Sequence, residues 1–283
     1  MKILTFDIED WFHILDNPET ASPEKWKNMQ SRLEQGVNRI LGLLDDTNQP
    51  GTFFCLGWVA EKYPEVIKSI KDNGHHIATH SYNHQLAYNQ NKEEFELDLS
   101  RSIDIIEQII GEKVDTYRAP GFSITSENLW AFEVLHKLGI KNDCSIFPAN
   151  RAHGGIPEYE TALPSKIIYN NSTLNSLPIN TANILGNNIV YSGGGYFRLL
   201  PAWYLNKKFA NDSYIMTYFH PRDFDPKQPI APGLNFIRKF KSYVGLNSAY
   251  KKLESILKEN KFINVETAVR DIDWENVKKV TLS

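Results

Sequence analysis

The chain has 283 residues, of which 41% are hydrophobic and 23% charged, and its 31 Lys and Arg stand against 34 Asp and Glu for a net charge of −3. That length and apolar content can bury a substantial core, and the near-balanced charge supplies no overall field for nucleic acid or an anionic membrane. Two cysteines, Cys55 and Cys144, lie in apolar segments, which excludes a disulfide framework and reads as buried thiols in a reducing compartment. No uninterrupted apolar run approaches the about 18 residues of a membrane span, and Met1-Lys2-Ile3-Leu4 passes straight into a strand-like pattern without the apolar core of a signal peptide. A cytoplasmic setting is expected.

In chain order, Lys2–Phe6 reads as a strand and Arg32–Asp46 as a helix with Leu33, Val37, Ile40, Leu41 and Leu44 on one face. After Pro50-Gly51, the β-branched and aromatic run Thr52–Leu56 predicts a buried strand. Tyr63–Asn73 predicts a helix with Gly74 at its C′ position. His76–Thr79 follows as a third strand, and Glu93–Ile110 as a long helix closed by Gly111. Thr116–Arg118 is a short strand ahead of Ala119-Pro120-Gly121, Ser126 caps a helix running to Leu138, and Lys141–Ile146 resumes a strand. The region 147–213, with its prolines, Asn-rich stretch and Gly193-Gly194-Gly195, predicts loops and short strands inserted over the mouth of the fold. Tyr214–Phe219 is a buried strand, and 232–283 a C-terminal extension with a helix over Phe236–Glu259 and a last strand at Phe262–Val265. Repeated β-α units at this spacing point to parallel strands with helices outside, either a barrel or a doubly wound sheet, in one domain spanning 1–283.

In either architecture the active site collects at the carboxyl ends of strands. Asp7, His80 and Arg118 sit at such ends, and Asp143 lies in a strand. His80-Ser81-Tyr82-Asn83-His84 places two imidazoles four residues apart, a spacing that puts both on one face of a helical turn and lets them share a divalent ion. Asp7-Ile8-Glu9-Asp10 supplies carboxylates for the third ligand and for a base. His220 then stands as an acid for a leaving amine, Arg118 holds the base ionised, Asp143 braces the arginine, and the turn at Pro120-Gly121 presents a backbone N–H to a developing oxyanion. Plainer roles stay open for each: a cap for Asp7 or Asp10, a strand-to-strand ion pair for Arg118, a loop position for His220. His13, His75, His76, His136 and His153 read as structural or solvent-facing, with His153 near enough to the inserted loops to meet a substrate.

These segments resemble the polysaccharide deacetylases of the NodB-homology type (carbohydrate esterase family 4), and within them a branch found with exopolysaccharide and O-antigen biosynthesis. Thr5–Phe12, His80–His84, Tyr117–Phe122, Asn142–Ser145 and Tyr218–Pro221 are similar to that family's successive motifs and keep their order, and Gly193–Leu200 is similar to a region of the biosynthetic branch. The resemblance implies a distorted (β/α) barrel of about seven parallel strands. It also implies one divalent metal, zinc with cobalt, manganese, iron or nickel as alternatives, and hydrolysis of N-acetyl groups on a saccharide. By position it implies Asp7 as base, His80 and His84 as metal ligands, Arg118 as the tether of the base, His220 as acid and Asp143 as the arginine's partner. The family's second adjacent aspartate is replaced by Ile8. Strand alternation puts Glu9 on the same side as Asp7 and makes it the first choice for the carboxylate ligand; a turn directly after Asp7 would give the place to Asp10. Two other readings stand beside deacetylation: an amidohydrolase of small cyclic amides or ureides on the same scaffold, and a non-catalytic saccharide-binding protein.

Overall fold

The computed structural model describes residues 1–149, 153–184 and 187–283. Its frame is an eight-stranded sheet whose strands run, edge to edge, Lys278–Thr281, Ser165–Tyr169, Ser172–Ser176, Asn142–Asp143, Thr116–Tyr117, His76–Thr79, Thr52–Cys55 and Thr5–Ile8. Thr5–Ile8 and Thr52–Cys55 are buried at every position, as expected of parallel strands covered on both faces. Their register sets Phe6 beside Phe53, and the two rings stack at 5.0 Å. Beyond Thr5–Ile8 the sheet curls round: Lys2–Ile3 pairs in parallel with Ile215–Met216, a bridge joins Phe6 to Phe219, and the Asp7 N–H donates to the Phe219 carbonyl at 2.7 Å. The result is a distorted (β/α) barrel.

The connecting helices form where sequence chemistry starts and stops them. Leu33–Thr47 buries Leu33, Val37, Ile40, Leu41 and Leu44 and ends at Asn48, in the left-handed conformation. Lys92–Ile110 begins with a capping box between Asn91 and Glu94 and ends at Gly111, also left-handed; such a box contributes about 1 kcal/mol.

Several expectations are corrected. The helix predicted from Ser126 begins at Ala131, because Asn128 and Thr125 close a turn first, the Asn128 side-chain oxygen accepting the Thr125 N–H at 2.7 Å. Phe236–Glu259 is two helices, Phe236–Tyr243 and Leu246–Glu259, separated at Gly245, whose φ of 75° suits glycine. Phe262–Val265 is not a strand. Only Ile263 bridges to Ile3, and Asn264 caps a helix over Val265–Asp271, while the last strand is Lys278–Thr281. The region 147–213 includes 150–152 and 185–186, which lie outside the described residues. Its remainder is more regular than loops: the antiparallel hairpin Ser165–Tyr169 and Ser172–Ser176 extends the main sheet, and helices span Gly194–Leu199 and Ala202–Asn211.

Candidate active site

Two strand ends and two loops converge on a cleft lined by Asp7, Glu9, His84 and His220. Asp7 sits within Thr5–Ile8, and one of its carboxylate oxygens accepts from the Arg118 Nη1 at 2.7 Å. Arg118 is wholly buried. Nη1 also donates to Thr5 Oγ1 at 2.8 Å, Nε donates to the Cys144 carbonyl at 3.4 Å, and the guanidinium lies 4.0 Å over the Phe54 ring. With donors aimed at fixed acceptors, the arginine cannot swing away from Asp7, which fixes the orientation of that carboxylate.

His80 and His84 do meet, though not on a helical turn. His80 follows the strand His76–Thr79, and the chain then bends sharply, with Ser81 at φ 66° and His84 at φ 54°, so that both rings turn inward. The Asp98 carboxylate holds that bend by accepting the N–H groups of Tyr82 and Asn83 at 2.7 and 3.0 Å. The Nδ1–H of His80 donates to the Arg118 carbonyl at 2.7 Å. A carbonyl only accepts, so this bond fixes the tautomer and leaves the Nε2 lone pair facing Glu9 at 3.2 Å; His84 Nε2 lies 2.9 Å from the same Glu9 oxygen. Burial alone would push the Glu9 carboxyl up, but the charges of His84 and His220 beside it hold it well below the usual carboxylate range.

Glu9, His80 and His84 thus each offer one ligand atom, all within 4.8 Å of one another and all buried. Two donors on a tetrahedral ion at zinc distances stand about 3.3 Å apart, close to what these pairs show. The donor set of two imidazoles and one carboxylate fits a zinc-type divalent ion with a coordination position left open. Asp10 lies outside this cluster, contrary to its candidacy from sequence. The strand runs on to Ile8, and the Asp10 carboxylate instead accepts from the Ser31 hydroxyl and from the backbone N–H groups of Trp11 and Arg32.

His220 completes the cleft. Its Nε2 stands 3.9 Å from Asp7 and 3.8 Å from Glu9, and its Nδ1 donates to the Asp223 carboxylate at 3.0 Å. Burial pulls the imidazole down, but Glu9, Asp223 and Asp7 outweigh it and raise the group to about 9. Asp223 is held in turn by Arg198, whose Nε is 3.0 Å away. Sequence reasoning passed over both residues. The signal for Asp223 was its place three residues after His220 across Pro221, where its carboxylate accepts the His220 N–H as a capping box does. Asp143 does not brace the arginine as expected. It is buried, its Oδ2 accepts the Ser145 N–H at 3.1 Å, and its Oδ1 has no hydrogen-bond partner among the described residues; Arg118 reaches it through the field of its charge. The left-handed Gly121 lines the cleft, and His153 lines it too, paired with Asp16 at 3.0 Å. His13, read from sequence as structural or exposed, is a buried wall of the same cleft. Its Nδ1 accepts the Asp10 N–H at 3.0 Å, and its ring packs edge-on against Trp26 and Trp58.

Comparison with known proteins separates the chain into two parts. Residues 4–142 match the family profile for polysaccharide deacetylase, and residues 144–270 match a domain of unknown function, DUF3473. A peptidoglycan-N-acetylglucosamine deacetylase of Bacillus cereus is 33% identical over 96 residues, covering 34% of this chain and 35% of the relative. A peptidoglycan deacetylase of Helicobacter pylori is 30% identical over 113 residues, covering 40% of this chain and 38% of the relative. The chain therefore matches little more than a third of the length of these curated relatives. Among solved structures, a Mycobacterium smegmatis protein assigned to the polysaccharide deacetylases superposes with a TM-score of 0.67 at 20% identity, covering 99% of this chain and 92% of the other. A carbohydrate esterase family 4 pseudoenzyme of Bacillus anthracis superposes at 0.51 with 14% identity, covering 99% and 69%. Likeness at these identities concerns the fold alone. Residues 4–142, just under half of the chain, form a polysaccharide deacetylase segment by their profile match.

Proposed function

We propose that this protein is a metal-dependent hydrolase that removes N-acetyl groups from amino sugars of a polysaccharide or its biosynthetic precursor, and that residues 1–283 form one catalytic domain. The observation that carries the reading is the convergence of a tethered carboxylate, Asp7, a paired imidazole, His220, and the Glu9–His80–His84 ligand set in one cleft. The names of the curated relatives support the substrate class. The Gly193–Leu200 segment, which bears Arg198, supports the narrower assignment to exopolysaccharide synthesis, and a cytoplasmic setting fits two unpaired, buried cysteines.

A divalent ion held by Glu9, His80 and His84 would polarise the acetyl carbonyl and make the attacking water more acidic. Asp7, oriented by its bond from Arg118, accepts a proton from that water as its oxygen adds to the carbonyl carbon. His220 enters the reaction protonated, because three carboxylates face it, and delivers the Nε2 proton to the amine as the C–N bond breaks. Asp223 holds Nδ1–H throughout and so keeps Nε2 aimed into the cleft. The products are acetate and a free amino sugar.

Acetate release from N-acetylated saccharides in the presence of zinc, cobalt or manganese tests this. Asp7→Asn and chelation should each abolish release, with a general-base loss of about 10²–10⁴-fold for the variant. No release from any amino-sugar substrate with metal present would sink the proposal.

A further inference from the structure

Beside the cleft stands a helix whose apolar side has nothing on it. Phe236–Tyr243 has no buried residue, and Phe236, Ile237 and Phe240 are 84%, 64% and 55% exposed. The helix is nevertheless firmly held. Asn235 caps it by accepting the Arg238 N–H at 2.9 Å, and the Arg238 guanidinium donates to the carbonyls of Leu15 and Asp16. At its other end the Arg198 guanidinium donates to the carbonyls of Lys241, Ser242 and Val244. Those anchors fix a face that points three large apolar side chains into water. The neighbouring helix Gly194–Leu199 adds Tyr196 and Leu199, both about half exposed, and the two helices enclose an apolar groove with Ile237 and Phe240. This groove shares Gly195, Tyr218 and Lys241 with the catalytic cleft.

The charge along this stretch of the sequence is one-sided. From Pro226 to Leu253 the chain carries Lys227, Arg238, Lys239, Lys241, Lys251 and Lys252 without a single Asp or Glu, although the whole protein is net negative. Exposed aromatic and aliphatic side chains interleaved with cations on one short helix are the composition of a segment that lies in a membrane interface. Two copies of this chain meeting through the face would bring their lysines together, which disfavours self-association. We propose that Phe236–Tyr243 and the adjoining Tyr196 and Leu199 dock the protein on an anionic lipid bilayer, so that the cleft opens at the membrane surface. The overall charge conceals this property because acidic residues elsewhere balance the local excess.

The test uses the full chain with vesicles of phosphatidylcholine alone and of an equal mixture of phosphatidylcholine and phosphatidylglycerol, read by co-sedimentation. Binding is expected to the mixed vesicles only and to weaken with added salt. Phe236→Ser combined with Phe240→Ser should reduce partitioning by roughly tenfold or more, with the thermal melt and acetate release from a soluble chitooligosaccharide unchanged. Because binding is read without turnover, its failure and a failure of the deacetylase reading are distinguishable. No preference for the mixed vesicles, or undiminished binding by the double variant, overturns the proposal. A concentration-dependent dimer that the double variant abolishes also overturns it, by assigning the face to a second copy.

Discussion

Asp143 offers a sharp check on how the site is built, because its carboxyl is buried and one of its oxygens has no partner among the described residues. Burial is the largest influence and pushes it up from 3.8 to about 7, against the pull of the Ser145 hydrogen bonds and the Arg118 charge. Its native pKa lies above its unfolded one, so the native state keeps a proton that the unfolded chain has released. Stability is therefore fully present below about 3.8 and is lost as pH rises toward about 7. A gap from 3.8 to about 7, at about 1.4 kcal/mol per tenfold change in acidity, amounts to about 4 kcal/mol. Asp143→Asn removes the titration and keeps the shape. The variant's stability relative to the parent, from urea unfolding, should rise by about 3 kcal/mol between pH 5 and pH 8 and level off above pH 7. A difference that stays flat across that range would refute the reasoning and place Asp143 as an ionised partner of Arg118 after all.

Other outcomes follow from the same contacts. Glu9→Gln should lower the bound metal, measured by elemental mass spectrometry, whereas Asp10→Asn should keep the metal and lose about 1–2 kcal/mol of stability by weakening its bonds to Ser31 and the Arg32 N–H. Asp223→Asn removes a carboxylate that raises His220, so the alkaline limb of kcat/KM, expected near pH 9, should move to lower pH; an unmoved limb would disconnect Asp223 from the acid. Arg118→Met leaves Asp7 buried without its cation and should cost about 3–5 kcal/mol in urea unfolding along with the activity.

What was legible in the sequence is the part in which one residue type does one job. Apolar runs bounded by Gly and Pro located the first strands to within a residue or two, and period-two alternation made Glu9 the first choice for the carboxylate beside the histidines while leaving Asp10 open. The pairing of His80 with His84 was legible while its geometry was not. A four-residue spacing says helix, yet Ser81 and His84 adopt positive φ under the hold of Asp98, a tertiary contact from a helix sixteen residues on. The hairpin Ser165–Tyr169 and Ser172–Ser176 left a signal in Asn170-Asn171, with Asn170 at φ 50°, but its strands carry enough polar residues to read as loop. Gly193–Gly195 argues against a helix on propensity, and the helix Gly194–Leu199 forms there because space demands it. A Cβ on Gly193 would stand 2.1 Å from the Tyr218 carbonyl, so only glycine lets this segment pass the strand that leads to His220.

That close passage shows how the two matched segments depend on each other. Residues 4–142 contribute Asp7, Glu9, His80, His84 and Arg118, whereas His220, Asp223 and Arg198 come from the segment of unassigned function. The dependence is not confined to His220. Asp7 donates its N–H to Phe219, Thr5 accepts from Phe219, and the Thr5 hydroxyl that steadies Arg118 also donates to the Thr217 carbonyl. Removing the second segment would therefore take away the proposed acid and loosen the proposed base together, since the ladder that orients Asp7 would lose its outer strand. Arg198 carries the connection outward: one guanidinium faces Asp223 behind the acid and clamps the carbonyls at the end of Phe236–Tyr243. Three polar contacts, from the helix carbonyls to Arg198, from Arg198 to Asp223 and from Asp223 to His220, thus join the face we assign to the bilayer to the imidazole we propose as the acid.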